Sequence, residues 1–263
     1  MKKVSFVCTT YRRFTCVERI IAQFHAQTYP NVELIIFNTD MKFPLVKEFD
    51  HENVIVINND IDYLSGAPYE TRGQICRDAV THATGDYFML ADDDDIYLPW
   101  HIQQAVDKIE EMGTDAWKPE RSFFATPHKL ELVRNTMEAS VIVKMERIRE
   151  IGFRTDKTGL EGLSWYTTLR DEGQLNEHYK YCVSSYCFNW GDPPHLAGHK
   201  QSGNIDNPNN FEEHKIQSMD YAYRPLQYNR RIGGLYQPFY RYLTAHGSEF
   251  PNPMMEQYVN QYL

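Results

Sequence analysis

Short apolar runs alternate with stretches of helical periodicity through the first half of the chain. Apolar residues follow three or four positions apart after the capping box at Thr15-Cys-Val-Glu18, after Pro68 and after Pro99, which predicts three helices. Four runs predict buried strands around them, at 3–9, 32–37, 53–57 and 87–91. This alternation favours a parallel α/β sheet with right-handed crossovers.

The second half has a weaker pattern. A strand is predicted at 139–143, followed by a short helix that ends before Gly152. A further helix is predicted over 161–170, and one or two strands over 179–190. No long linker separates the halves, so we expect one globule with an appended, helical or irregular C-terminal region.

Composition is that of an ordinary globular protein, with 42% hydrophobic and 24% charged residues in a chain of 263. This composition argues against a disordered chain or a coiled coil. No apolar run has the length of a membrane span or of a secretory signal. The five cysteines form no CxxC pair and are expected to be reduced thiols. We therefore expect a cytoplasmic protein without a transmembrane segment.

Four consecutive aspartates, 92–95, come directly after the fourth predicted strand. In open parallel sheets, ligands bind beyond the carboxyl ends of the strands. Adjacent carboxylates repel one another, and their hard oxygen ligands suit Mg²⁺ or Mn²⁺ shared with substrate phosphates. The alternative is an acidic start of the next helix, which would account for one or two of the four residues. The cluster therefore predicts a divalent-cation site.

Other phosphate-binding or metal-binding motifs are absent from the sequence. There is no G-x-G-x-x-G after a strand, no G-x-x-x-x-G-K-[ST] and no H-E-x-x-H. Dinucleotide dehydrogenases, P-loop enzymes and zincins are thus disfavoured. The remaining hypothesis is a nucleotide site whose diphosphate is held by an aspartate-bound metal.

Three segments together resemble the GT-A glycosyltransferases of family 2. They are Val4-Ser-Phe-Val-Cys-Thr-Thr-Tyr-Arg-Arg13, Glu33-Leu-Ile-Ile-Phe-Asn38 and Gly85-Asp-Tyr-Phe-Met-Leu-Ala-Asp-Asp-Asp-Asp95. The resemblance implies a GT-A (Rossmann-like), mostly parallel sheet flanked by helices. It also implies sugar transfer from a nucleotide-diphosphate donor, usually UDP-linked, to an acceptor hydroxyl. Under this interpretation 1–113 binds the nucleotide sugar, 114–200 forms the acceptor side, and 201–263 is a loop and an aromatic, basic region.

The resemblance further implies roles for individual side chains, with the D-x-D motif on Asp92-Asp93-Asp94. The implied metal, Mn²⁺ or Mg²⁺, would be held by Asp94, Asp92 and His195. The implied donor contacts are Thr9, Tyr11, Arg13, Asn38, Arg77, Asp92, Asp93, His199 and Lys200. Asn38 has the alternative of a turn residue, and the two histidines and the lysine have that of a Pro-rich surface loop.

At the position of the catalytic base, the sequence departs from the family pattern. Inverting members have a Glu-Asp pair before a helix that ends in Gly, and counting back from Gly173 this pair falls on Glu161 and Gly162. Some carboxylate or His must accept the acceptor proton. Glu161 is the nearest candidate and Asp156 the second. The alternative for Glu161 is a helix N-terminal acid.

Aromatic and basic residues interleave in the C-terminal region. Aromatic rings stack on sugars or bases and arginines pair with phosphates, so the acceptor could be a glycan or a hydroxymethylated DNA base. The alternative is a tail whose aromatic residues pack on the core. The residues are Tyr221, Tyr223, Tyr228, Tyr236, Phe239, Tyr240 and Tyr242, with Arg224, Arg230, Arg231 and Arg241.

Two other functions are compatible with the same residues. A nucleotidyltransferase also uses aspartate-held metals on an α/β sheet. Because Gly162 stands where a carboxylate is expected, a protein that only binds a nucleotide sugar is the other alternative.

Overall fold

The computed structural model describes residues 1–45, 53–126, 129–156, 161–177 and 184–189, together with 236, 239–241, 243 and 245. The strands are β1 Val4–Thr10, β2 Val32–Asn38, β3 Val54–Asn58, β4 Tyr87–Asp92, β5 Ile96–Tyr97, β6 Ala116–Trp117, β7 Arg121–Thr126, β8 Lys129–Arg134, β9 Ile142–Lys144, β10 Leu175–Asn176 and β11 Tyr186–Asn189. The helices are α1 Phe14–His25, α2 Arg72–Val80, α3 His101–Met112, α4 Met145–Ile151 and α5 Leu163–Asp171, and a 3-10 turn spans Glu138–Ser140.

The larger sheet has seven strands in the order β10-β6-β9-β4-β1-β2-β3. The four strands predicted from the first half pair in parallel, and β9 pairs antiparallel to β4. Successive residues of β1 alternate between the two faces, with Phe6 in the cluster formed with α1 and α3, and Val7 in the cluster formed with α2, α4 and α5. Helices therefore cover both faces, which confirms the predicted α/β class with a mostly parallel sheet.

Two helix starts differ from the prediction. The N-cap of α1 is Arg13, without a side-chain capping bond, so the capping box predicted at Thr15 is wrong. Helix α2 begins at Arg72 and not near Pro68, because Thr71 and Gln74 form a reciprocal capping box while Pro68 pairs with Ile61 in an isolated β-bridge. The strand predicted at 139–143 also shifts, since the 3-10 turn precedes β9.

A second sheet, in the order β5-β11-β7-β8, was not predicted except for part of β11. It is packed against residues of the C-terminal region: Tyr236, Phe239, Tyr240 and Leu243 are all buried in one cluster with Phe123 and Cys187. For these three aromatic residues the core-packing alternative is therefore correct, because side chains buried in the core are not available to stack on a ligand. The other aromatic residues of the predicted ligand-binding set lie outside the described residues.

Two further expectations concern cysteines and membrane helices. Cys8, Cys16, Cys76 and Cys187 are free and buried. Among the helices of the described residues, none combines the length and the apolar character that crossing a bilayer requires.

Candidate active site

The carboxyl ends of β1 and β4 bring the aspartate cluster against the segment that leads into α1. The two strands pair in parallel with Thr9 opposite Asp92. The Thr10 hydroxyl donates to Asp93 Oδ2 at 2.6 Å. The Arg13 guanidinium donates to Asp93 Oδ1 at 2.9 Å and to Asp94 Oδ2 at 2.8 Å. Arg13 and the aspartates, which the sequence assigned to one site, are thus in direct contact.

Asp93 uses its carboxylate to hold this arrangement together. It is 3% exposed, and each of its two oxygens accepts a bond from Thr10 or Arg13. Its main-chain carbonyl accepts a bond from Arg19 at 3.1 Å. The charge of Asp93, assisted by Asp94, raises the pKa of Arg13 against the opposing effect of burial. Asp93 therefore fixes the Arg13 side chain just before α1. The predicted contact of Asp93 with the donor stays a prediction.

Asp95 has a structural role that the sequence did not reveal. It is fully buried, and its carboxylate accepts bonds from the Tyr186 hydroxyl and, at 3.1 Å, from the Asn189 main-chain N–H. Burial raises the pKa of Asp95 well above its usual range, and the charges of Asp92 and Asp94 act in the same direction. The fourth aspartate therefore attaches β11 to the site, and only three of the four remain for ligand chemistry.

Arg72, at the start of α2, connects Asp92 to Glu161. Its guanidinium forms an ion pair with Asp92 and a second with Glu161, where Nη1 lies 2.6 Å from Oε1. Glu161 is 3% exposed and Asp92 25%. The predicted base and the first aspartate of the D-x-D motif are thus neighbours of one cation. Sequence reasoning missed Arg72, although its place directly after the Thr71 N-cap is a signal that could have drawn attention to it.

Close packing of α2 explains why Arg72 reaches Glu161. Gly73 lies against the backbone of Arg154 and Thr155, where a Cβ on Gly73 would come within 1.7 Å of the Arg154 carbonyl oxygen. Thr71 Oγ1 donates to the Thr155 carbonyl at 3.1 Å, and the Arg154 N–H donates to the Glu161 carbonyl at 3.1 Å. The start of α2 and the segment before α5 are therefore held side by side.

Asp156, the second candidate base, lies in this segment but is half exposed and pairs with Arg154. Its predicted role stays a prediction that the geometry does not favour over Glu161.

Two side chains that were predicted to contact the nucleotide-sugar donor, Asn38 and Arg77, form hydrogen bonds with other protein groups. Asn38 is buried, its Nδ2 donates to Asn58 Oδ1 at 2.9 Å, and its Oδ1 accepts from the Asp40 N–H at 3.1 Å. These bonds favour the turn interpretation of Asn38 over contact with a base. Arg77 donates to Asp62 Oδ2 at 2.7 Å and to Asp78 Oδ1 at 2.8 Å, so it holds the connection between β3 and α2.

Thr9 and Tyr11 lie at the end of β1, as predicted. The Arg12 guanidinium lies over the Tyr11 ring, 4.7 Å from its centroid, and Arg12 Nε donates to Asp40 at 2.8 Å. His195, His199 and Lys200 lie outside the described residues. Their predicted metal and diphosphate contacts therefore stay predictions.

The chemistry of the aspartates fits a divalent cation shared with a ligand. Within the described ranges, no group of three or more His, Cys, Asp or Glu side chains could hold a metal ion by itself. Asp92 and Asp94 nevertheless provide two carboxylates at one strand end. Mg²⁺ is commonly bound by one or two carboxylates, with water and substrate phosphates completing its shell. The two aspartates would therefore hold the cation, and the rest of its ligands would come from a diphosphate.

A comparison with family models finds a match in the first half of the chain. Residues 5–125, here called the family 2 region, match the model described as "Glycosyl transferase family 2". The match includes β1, α1, β4 and all four aspartates, and it confirms the resemblance deduced from the sequence motifs.

Among curated proteins, this chain is similar to the uncharacterized glycosyltransferase YwdF of Bacillus subtilis (strain 168). The two are 30% identical over 112 residues, which cover 41% of this chain and 38% of YwdF. The match thus spans well under half of either protein.

Solved structures extend the likeness in fold beyond the family 2 region. S. aureus TarS in complex with UDP-GlcNAc is similar with a TM-score of 0.59 and 13% identity, over 87% of this chain and 70% of that one. The mannosyltransferase PcManGT from Pyrobaculum calidifontis, in complex with GDP-Man and Mn²⁺, has a TM-score of 0.53 and 13% identity, over 99% of this chain and 86% of that one. These likenesses establish the GT-A fold.

Proposed function

We propose that this protein transfers a sugar from a nucleotide-diphosphate donor to an acceptor hydroxyl. One observation carries the proposal: in a family 2 region, Asp92 and Asp94 meet Arg13 and Arg72 at the carboxyl end of the central strand. Carboxylates for a cation and guanidinium groups for phosphates are the two features that a sugar diphosphate requires. The UDP-GlcNAc bound to TarS and the GDP-Man bound to PcManGT support this donor class.

In this proposal Asp92 and Asp94 hold Mn²⁺ or Mg²⁺ together with the donor diphosphate. The cation would neutralise the charge that develops on the leaving diphosphate. Arg13 and Arg72 pair with these two aspartates in the structure. With a cation on the two carboxylates, the guanidinium nitrogens that now face Asp92 and Asp94 would be available to phosphate oxygens, while Asp93 and Glu161 would keep Arg13 and Arg72 in place. Thr9 and Tyr11, at the end of β1, are our candidates for contact with the nucleoside.

The acceptor that we propose is a hydroxyl of a glycan, attacked in a single, inverting displacement. Tyr236, Phe239 and Tyr240 are buried, so they are not available to stack on a sugar or on a DNA base. Arg241, in the same segment, is exposed and could still contact an anionic acceptor.

Thermal stabilisation by donors tests the proposal. A ligand that binds only the folded state at about 100 times its Kd stabilises it by about 2.7 kcal/mol. We expect UDP-GlcNAc, UDP-glucose or GDP-mannose to raise the melting temperature in the presence of Mn²⁺ and to lose this effect in excess EDTA. ATP with Mn²⁺ is the control for unspecific nucleotide binding.

Product analysis then separates the three candidate functions. Release of UDP or GDP from the stabilising sugar nucleotide supports the glycosyltransferase. Release of pyrophosphate from a nucleoside triphosphate would identify a nucleotidyltransferase instead. Stabilisation by the donor without any release of nucleotide would identify a binding protein.

A further inference from the structure

The Glu138 side chain occupies the space beside the site that a side chain at position 162 would need. A Cβ built on Gly162 would lie 2.8 Å from Cγ of Glu138 and 3.1 Å from Cζ2 of Trp165. The backbone of Gly162 has φ −82° and ψ −12°, which any residue can adopt. Position 162 is therefore glycine because the Glu138 side chain fills the space, and not because of its backbone conformation.

Sheet register places Glu138 at the end of β4 that carries Asp92. Strand β9 runs antiparallel to β4, with Ile142 opposite Met89. Residues before Ile142 consequently extend past Met89 in the direction of Asp92. The charges of Asp92, Glu161 and Arg72 all act on the Glu138 carboxylate, which shows that the four groups share one region.

Glu161 is poorly suited to accept a proton in this arrangement. It is 3% exposed and its carboxylate is paired with Arg72 at 2.6 Å. Glu138 is half-buried and, within the part of the chain that the structure describes, forms no ion pair. Its carboxylate accepts a hydrogen bond from its own main-chain N–H. Glu161 is therefore a positioning residue for Arg72, and Glu138 is a carboxylate of the same region that has no ion pair among the described residues.

We propose that Glu138, whose side chain occupies the space over Gly162, is the general base of the transfer reaction. The proposal rests on the proposed function. The acceptor oxygen forms a bond to the anomeric carbon of the donor sugar and its proton moves to a carboxylate oxygen of Glu138. The bond between the anomeric carbon and the phosphate oxygen breaks, and its electron pair leaves with the nucleoside diphosphate.

The protonation behaviour of Glu138 agrees with this role. Burial raises its pKa above the ordinary value, its own main-chain N–H opposes this, and the charges of Asp92 and Glu161 raise it further against Arg72. A base works best when its pKa lies near the operating pH, because it then accepts the proton with a larger driving force.

The test uses the full-length protein with Mn²⁺ and measures UDP or GDP released from UDP-GlcNAc or GDP-mannose with water as the acceptor. Attack by water also requires that a proton be removed, so the same base is needed. We expect Glu138→Gln to lower kcat by about 10²-fold or more, with the KM for the donor and the melting temperature unchanged. The acidic limb of the kcat–pH profile should disappear in this variant. Glu146→Gln, at an exposed position of α4, is the control and should behave as wild type.

Relocation of the carboxylate provides the sharpest discrimination. Glu138→Ala removes the Cγ that lies 2.8 Å from a Cβ at position 162, and the two next nearest atoms, in the Trp165 ring at 3.1 Å and at Cβ of residue 138 at 3.4 Å, require only a small shift. We expect Glu138→Ala/Gly162→Asp to recover much of the lost kcat and Glu138→Ala/Gly162→Asn to recover none. Asp and Asn are equally good residues at this N-cap of α5, so the two variants are matched in stability.

The outcomes separate this inference from the proposed function. If the wild type releases no nucleotide from either donor, the proposed function fails and the inference fails with it. If the wild type is active and Glu138→Gln has the same kcat and pH profile, the inference alone is overturned. A loss of activity in Glu161→Gln that exceeds the loss in Arg72→Met, while Glu138→Gln stays active, would return the base to Glu161.

Discussion

Replacement of Gly73 by Ala tests the packing that positions Arg72. Helix propensity and tertiary packing predict changes of opposite sign in the stability of this variant. Gly73 lies in the first turn of α2, with helical backbone geometry. Helix propensity alone predicts that Ala stabilises the protein by about 1 kcal/mol. The contact with the Arg154 carbonyl oxygen, at 1.7 Å from the added Cβ, predicts destabilisation.

The magnitude follows from the displacement that the new methyl group requires. The Arg154 carbonyl would have to retreat by about 1.3 Å to reach the 3.0 Å below which real Cβ contacts essentially do not occur. The contacting atom belongs to the backbone, so a rotamer change cannot relieve the overlap. Overpacking costs reach about 3 kcal/mol. After about 1 kcal/mol is credited for helix propensity, we expect a net loss of about 2 kcal/mol.

Urea unfolding followed by tryptophan fluorescence measures this loss. With an m-value of about 3 kcal/mol/M, a loss of about 2 kcal/mol lowers the midpoint by about 0.7 M. Gly113→Ala is the matched control, because Gly113 has open space around it and a positive φ of 65°. That control should cost about 1 kcal/mol for backbone strain alone. A Gly73→Ala variant as stable as wild type would refute the packing argument and, with it, the account of how Arg72 is placed.

The remaining predictions concern the metal, the Arg72 ion pairs and pH. Asp94→Asn should abolish turnover and the Mn²⁺ dependence of UDP binding, measured by calorimetry with and without EDTA; wild-type turnover in excess EDTA would contradict it. Arg72→Met should lower the free energy of unfolding by about 1–2 kcal/mol, which is less than the loss of a fully buried ion pair because Arg72 is 41% exposed. The double variant Arg72→Met/Glu161→Leu should recover most of this stability, because no unpaired Glu161 carboxylate is left. Burial lowers the pKa of His101 to about 3. Because the unfolded chain binds that proton from about pH 6.5 downwards, folding stability should fall by about 1.4 kcal/mol per pH unit from there toward pH 3. His101→Asn should lack this contribution, and an identical slope in urea titrations of both proteins would rule it out.

The sequence by itself determined the parallel part of the fold and the location of the aspartate cluster. Continuous apolar runs predict buried strands such as β1 and β2. The spacing of apolar residues predicts α3, and Gly113, in the left-handed conformation, ends that helix. Parallel strands present their carboxyl ends at one edge, so Arg13 and the aspartate cluster, which meet through Asp93 and Asp94, could be expected to lie close together. These features depend on local periodicity and on one general rule of topology.

Only the tertiary structure decided which partner each carboxylate of the site has. Asp93 and Asp95 are only two positions apart, yet Asp93 holds Arg13 while Asp95 is enclosed by β11, because the chain turns after β4. Asn38 is hydrogen-bonded to Asn58, at the end of the neighbouring strand β3. The meeting of Arg72 with Glu161, and that of Glu138 with Gly162, depend on close backbone packing and on the antiparallel register of β9. Such contacts join residues far apart in the chain, and no local pattern encodes them, since their energy arises only when distant elements pack together.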